Sequence, residues 1–123
     1  MNAIYPTYTC FDDALDLLAE AVKANPDAVD SGELRLVHGI CLSPSGEKYS
    51  HAWVESFGMH VWFMGILNGE RATFACSRIE YYEDARVQET TKYTPREAWA
   101  LNYEHENYGP WIERYKKLCK DAR

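Results

Sequence analysis

Residues 49–57, Tyr49-Ser50-His51-Ala52-Trp53-Val54-Glu55-Ser56-Phe57, decide how this chain is read. The stretch reads as a strand. Alternation along a strand puts His51, Trp53 and Glu55 on one face and Ala52 and Val54 on the other. Working outward, residues 33–41 (ELRLVHGIC) are apolar with a partial alternation, as in a buried strand, and Ser43-Pro44-Ser45-Gly46 is a turn between the two. Gly58 and Met59 form a tight connection into residues 60–66 (HVWFMGI). Asn68-Gly69 is a hairpin signal that lets residues 71–76 pair back. These segments predict an antiparallel meander of about four strands. Residues 77–91 are ambiguous, with room for a short helix and an edge strand around residues 85–88.

Helices flank the strands. Phe11, Ala14, Leu15, Leu18 and Val22 follow helical spacing from Cys10 onward. Thr9 is placed to cap that helix, Asp12 and Asp13 suit its first turn, and Asn25-Pro26-Asp27 ends it. Thr94-Pro95-Arg96-Glu97 combines an N-cap, a proline at the first helical position and a capping-box Glu, and predicts a helix to about His105. Asn107-Tyr108-Gly109 breaks it. Pro110 can then open a last helix with Trp111, Ile112, Tyr115, Leu118 and Cys119 as its apolar stripe. The order helix, strands, helices predicts an α+β domain with the helices on one face of the sheet.

The 123 residues suffice for one domain with one continuous core, spanning 1–123. With 46% hydrophobic and 26% charged residues the chain is globular in composition, and its net charge of −6 speaks against nucleic acid or anionic membrane as partners. No apolar run approaches the roughly 20 residues that span a bilayer, and the N-terminus does not read as a signal peptide, so a cytoplasmic protein is expected. Cys10, Cys41, Cys76 and Cys119 form no CxxC pair. An even count permits two disulfides, but free thiols are expected in a leaderless chain with a full core.

A free cysteine is most often a buried small hydrophobe. Cys10 differs in standing at a helix start, where partial positive charge and backbone N–H groups favour a thiolate and a developing oxyanion. Asp12 and Asp13 oppose this unless they point away. His51 is the candidate partner: it can project from the sheet toward a helix N-terminus, take the thiol proton and return it to a leaving group. Trp53, on the same face, can shield the pair from water. His38 reads as a core histidine bonded to a backbone carbonyl, His60 and His105 as exposed. The histidines and Cys10 show no i, i+4 metal-ligand spacing, and no metal or other cofactor is expected.

Cys10 opening a helix, the sequence His51-Ala52-Trp53-Val54-Glu55, and a further strand behind it resemble the papain-like fold in its transglutaminase-like and bacterial amidase branch. The longer pattern of Leu36-Val37-His38-Gly39, residues 51–55, Tyr93-Thr94-Pro95 with Glu97-Ala98, and Tyr108-Gly109-Pro110-Trp111 resembles small bacterial and phage proteins of that type. The resemblance implies Cys10 as nucleophile, His51 as base, and an Asp or Asn on the next strand orienting the imidazole. Here that strand reads Val61-Trp62-Phe63-Met64, without a carboxylate. Asn68 is the nearest side chain able to take the role, with His60 or a backbone carbonyl as substitutes.

The resulting expectation is a cysteine hydrolase or acyltransferase acting on an amide or ester, peptides included, through a Cys10 thioester. The Cys10 N–H, helped by Tyr8, would hold the oxyanion. The alternative is a catalytically silent papain-like protein, an inhibitor or adaptor that engages a protein or peptide partner through the same cleft or an aromatic surface.

Overall fold

The structure is a computed structural model that describes the backbone of residues 5–6 and residues 9–119 in full. In chain order the elements are β1 (Tyr5–Pro6), α1 (Cys10–Ala24), α2 (Ala28–Ser31), β2 (Leu34–Leu42), β3 (Lys48–Ser56), β4 (His60–Leu67) and β5 (Glu70–Ser77). They continue with α3 (Arg78–Asp84), β6 (Glu89–Tyr93), α4 (Pro95–His105) and α5 (Glu113–Lys116). The expected α+β class and the four-strand meander, β2 to β5, are present. The sheet is wider than expected: β6 pairs with β2, and β1 pairs with β4, so that six strands join, all antiparallel. The edge strand foreseen at residues 85–88 lies slightly later, at Glu89–Tyr93, because α3 and its exit turn occupy residues 78–88.

Register fixes the two faces. His51 stands opposite Gly39, Trp53 opposite Val37 and Glu55 opposite Arg35. One core therefore forms around Val37, Cys41, Trp53, Val61 and Tyr81, and is covered by α3. The other holds Leu36, Ala52, Val54 and Tyr93 against Cys10, Phe11, Ala14, Leu15 and Leu18 of α1 and Ala98 of α4. Helices thus pack on both faces, not one. The expectation failed because α3 is only seven residues long, too short to show an apolar stripe.

The helix ends differ in how they are capped. Thr94 and Glu97 make the full capping box of α4, each side chain bonding the other's backbone N–H. Thr9 precedes α1 but does not cap it with its side chain; its hydroxyl donates to the Asp13 carboxylate at 2.9 Å. The last helix shortens to four residues. Trp111 packs against His38 and Tyr93, while the Tyr115 hydroxyl lies 3.0 Å from that of Thr91 and the Tyr115 carbonyl accepts from Ser50. Both rings are drawn onto the sheet, Trp111 ahead of α5 and Tyr115 within it.

Candidate functional site

The strand β3 pairs with β4 over only three residues, Val54↔Trp62, Glu55↔Val61 and Ser56↔His60. The other edge of β4 is filled along its whole length by β5. Beyond Trp62, β1 takes the edge that β3 has left, with Pro6 opposite Gly65 and Tyr5 opposite Ile66. The sheet therefore forks between β3 and β4. In the chain α1 follows β1 and begins at Cys10.

Cys10 is the first residue of α1, is 7% exposed, and packs in the α1-side core with Ala52 and Val54. His51 is 5% exposed and lies on the opposite face of β3. Its ring sits between those of Tyr49 (centroids 6.1 Å apart) and Trp53 (5.9 Å). Burial, then the Cys41 and Cys10 thiols, push the Tyr49 hydroxyl up to about 12. Burial is also the main cause of the upward shift at Tyr81, with Cys41, Tyr49, Cys10 and Cys76 adding to it. Tyr49 and Tyr81 line one cleft with His51. The cleft has a volume of about 370 Å³ and is closed on its other sides by Phe63, Phe74, Ala75, Cys76, Asp84 and Ala85.

Burial alone pushes the His51 imidazole down to about 4, so it is neutral at pH 7. Among the described residues no hydrogen bond reaches its ring. Phe63 shares its cleft, whereas Met64 has the parity of the α1 face. Asn68 is on the exposed β4–β5 turn in the left-handed conformation, φ 55°, with Gly69 at φ 81°. That geometry is a hairpin turn, and Asn68 makes no bond to His51 there. Tyr8 lies outside the described residues. Trp53 is fully buried, so it walls His51 from beneath instead of meeting a ligand at the surface.

The acidic first turn of α1 is partly neutralised. Arg71 of β5 donates to the Asp13 carboxylate at 2.6 Å. Asp12 is exposed and its carboxyl is raised by burial and by the charges of Asp13 and Asp16. The buried thiol of Cys41 is pushed up to about 12, and that of Cys76 is raised by burial and by Glu80 and Asp84. None of the four cysteines forms a disulfide with another. Among the described residues no three His, Cys, Asp or Glu side chains converge to hold a metal ion. Among the described residues no helix is long and apolar enough to cross a membrane.

Sequence reading missed the hub at Glu55. This carboxylate, 2% exposed, accepts from Trp53 Nε1 at 3.0 Å, from Lys92 Nζ at 2.9 Å and from the Tyr82 hydroxyl. It ties β3, β6 and α3 together and holds the indole that packs against His51. His38 is a core histidine, as expected, but among the described residues both its ring nitrogens lack a hydrogen-bond partner, enclosed by Phe11, Tyr93 and Trp111. The expected carbonyl bond is absent because the surrounding surfaces are aromatic faces and edges. His60 and His105 are exposed.

Comparison with protein-family models, with curated proteins and with solved structures finds no match for this chain.

Proposed function

We propose that the protein is a small cysteine acyl-transfer enzyme of papain-like type, a hydrolase or acyltransferase, with Cys10 as nucleophile and His51 as general base. The observations that support the proposal are Cys10 as the buried first residue of α1 and the neutral His51 imidazole lining a cleft of about 370 Å³. Cys10 sulfur attacks the carbonyl carbon of an amide or ester while its proton passes to the neutral His51 imidazole, a transfer that requires the two groups, on opposite faces of β3, to be brought within reach. The imidazolium then protonates the departing amine or alcohol, leaving an acyl thioester. Water or an amine attacks this carbonyl, gives its proton to His51, and the thiol is regenerated as the C–S bond breaks. The Tyr49 phenol, held protonated by its raised pKa, is suited to donate a hydrogen bond to the oxyanion.

No carboxylate hydrogen-bonds the His51 ring among the described residues, and burial alone sets its shift, which predicts a weakly activated thiol. Limited iodoacetamide labelling of the folded protein, mapped by mass spectrometry, tests the assignment. Cys10 labels ahead of Cys41, Cys76 and Cys119, and His51→Gln slows it. Labelling of Cys76 first would refute it.

A second reading, a binding module without turnover, is favoured by Phe57. This residue is 66% exposed and held at φ 55°, an unusual conformation for a bulky side chain. It borders an apolar groove lined by Leu17, Ala21, Leu34, Val54 and Trp62. Under that reading Cys10→Ala leaves all function intact.

A further inference from the structure

The cleft at His51 has a chemical character beyond its place in the proposed reaction. Four aromatic rings line it: Tyr49, Phe63, Phe74 and Tyr81. Phe63 stacks on Phe74 with centroids 5.7 Å apart and meets Tyr81 at 5.3 Å, so three of the rings form one continuous wall. Asp84, at the end of α3, stands on the lining and is exposed, and no Lys or Arg lies among the lining residues. Arg78, the basic residue of α3, is engaged elsewhere, over the Tyr82 ring at 5.6 Å. His51 is nine-tenths buried, faces into the cleft, and has no hydrogen bond to its ring among the described residues.

We propose that this cleft is a binding site for an alkylammonium group, such as a lysine side chain, caged by the aromatic rings and paired with Asp84. Ring faces carry negative potential, and a cation within about 6 Å of a ring centroid is attracted to it, more strongly where water is excluded. Asp84 supplies the countercharge at the mouth. The neutral imidazole of His51 supplies a nitrogen lone pair that an ammonium N–H can reach, and adds no like charge. The negative field is already visible at Cys76, whose thiol is raised by Glu80 and Asp84 in addition to burial. A volume of about 370 Å³ lies at the small end of the range for ligand sites and suits a side chain better than a large cofactor.

As the substrate class of the proposed enzyme, this inference rests on that reading; as a binding site it does not. It is therefore tested on the full chain carrying Cys10→Ala, where turnover is removed. Calorimetric titration compares two hexapeptides that differ only in a central lysine or norleucine, with choline as a free ammonium competitor. The lysine peptide is expected to bind at least about tenfold tighter, consistent with cation–π and charge pairing in a partly desolvated site. Asp84→Asn, a surface change that should not disturb folding, is expected to cut that preference about fivefold and leave the norleucine peptide unaffected. Phe74→Leu, at a half-buried position, is expected to weaken the lysine peptide selectively. Displacement by choline would show that the ammonium alone suffices, and its failure would assign the site to peptide-borne lysine. Equal or tighter binding of the norleucine peptide, or no binding of either, would overturn the inference. A failure of acyl transfer in the unmodified protein would leave this result standing.

Discussion

Glu55→Ala removes a buried carboxylate on which three elements converge, and its cost can be worked from the partners it abandons. The Trp53 indole N–H, in a fully buried side chain, is left without an acceptor, which costs about 1–3 kcal/mol. The Lys92 ammonium loses its ion, but its side chain is 30% exposed and can turn to water, so about 1 kcal/mol is lost there. The half-buried Tyr82 hydroxyl rehydrates for less. With the lost packing, the total is about 3–4 kcal/mol. Glu55→Gln keeps the volume and an acceptor for Trp53 or Tyr82, but turns a donor toward Lys92, and is expected to cost about 1–2 kcal/mol. Urea unfolding at pH 7, with m-values compared to confirm an unchanged reference state, measures both. A loss below about 1 kcal/mol for Glu55→Ala would refute the hub. Equal losses for the two variants would show that volume, not hydrogen bonding, sets the cost.

Acid should destabilise the fold through its two buried imidazoles. Their folded pKa values, about 3 for His38 and about 4 for His51, lie below the ordinary 6.5. As pH falls below 6.5 the unfolded chain takes up protons that the folded chain refuses. Stability is then lost progressively, by about 2 kcal/mol per histidine at pH 5, until the folded values are reached. His38→Leu should remove its share of that slope, and chemical denaturation between pH 7 and 5 reads it; an unchanged slope would contradict the burial of a neutral imidazole. Gly39→Ala should cost about 2–3 kcal/mol, because the added carbon would lie 2.4 Å from the Trp53 ring and 3.3 Å from the Glu89 carbonyl, between a fully buried side chain and backbone. A neutral effect on the thermal midpoint would mean that the indole is not held over β2.

The parts of the fold carried by local pattern were legible in the residues themselves. The 49–57 alternation placed His51, Trp53 and Glu55 on one face, Asn68-Gly69 announced its hairpin, and Thr94 to Glu97 announced its capping box. What escaped was set by long-range geometry. The β3–β4 fork depends on a two-residue strand at Tyr5–Pro6, too short to leave a period. The α3 helix on the second face has only Tyr81-Tyr82 to advertise it. The Glu55 hub draws Tyr82 and Lys92 from 27 and 37 residues away, and Arg71 reaches Asp13 across 58, separations at which no spacing rule operates. At the candidate site the two residues singled out from sequence are both buried. That they lie on opposite faces of β3 follows from the alternation along the strand, with Ala52 and Val54 turned to α1 and His51 turned away, and the side on which α1 packs is not displayed by the sequence.

Trapping the acyl-enzyme tests the central claim most directly. The protein is mixed with an activated ester such as p-nitrophenyl acetate at pH 7, quenched in acid within seconds, and the acetylated peptide is identified by mass spectrometry. The account predicts a hydroxylamine-labile acetyl group on Cys10, absent in Cys10→Ala and formed at least about tenfold more slowly in His51→Gln, as loss of a general base requires. An acetyl group found on Cys76 or another thiol, or one that forms on Cys10 at the same rate without His51, would contradict it.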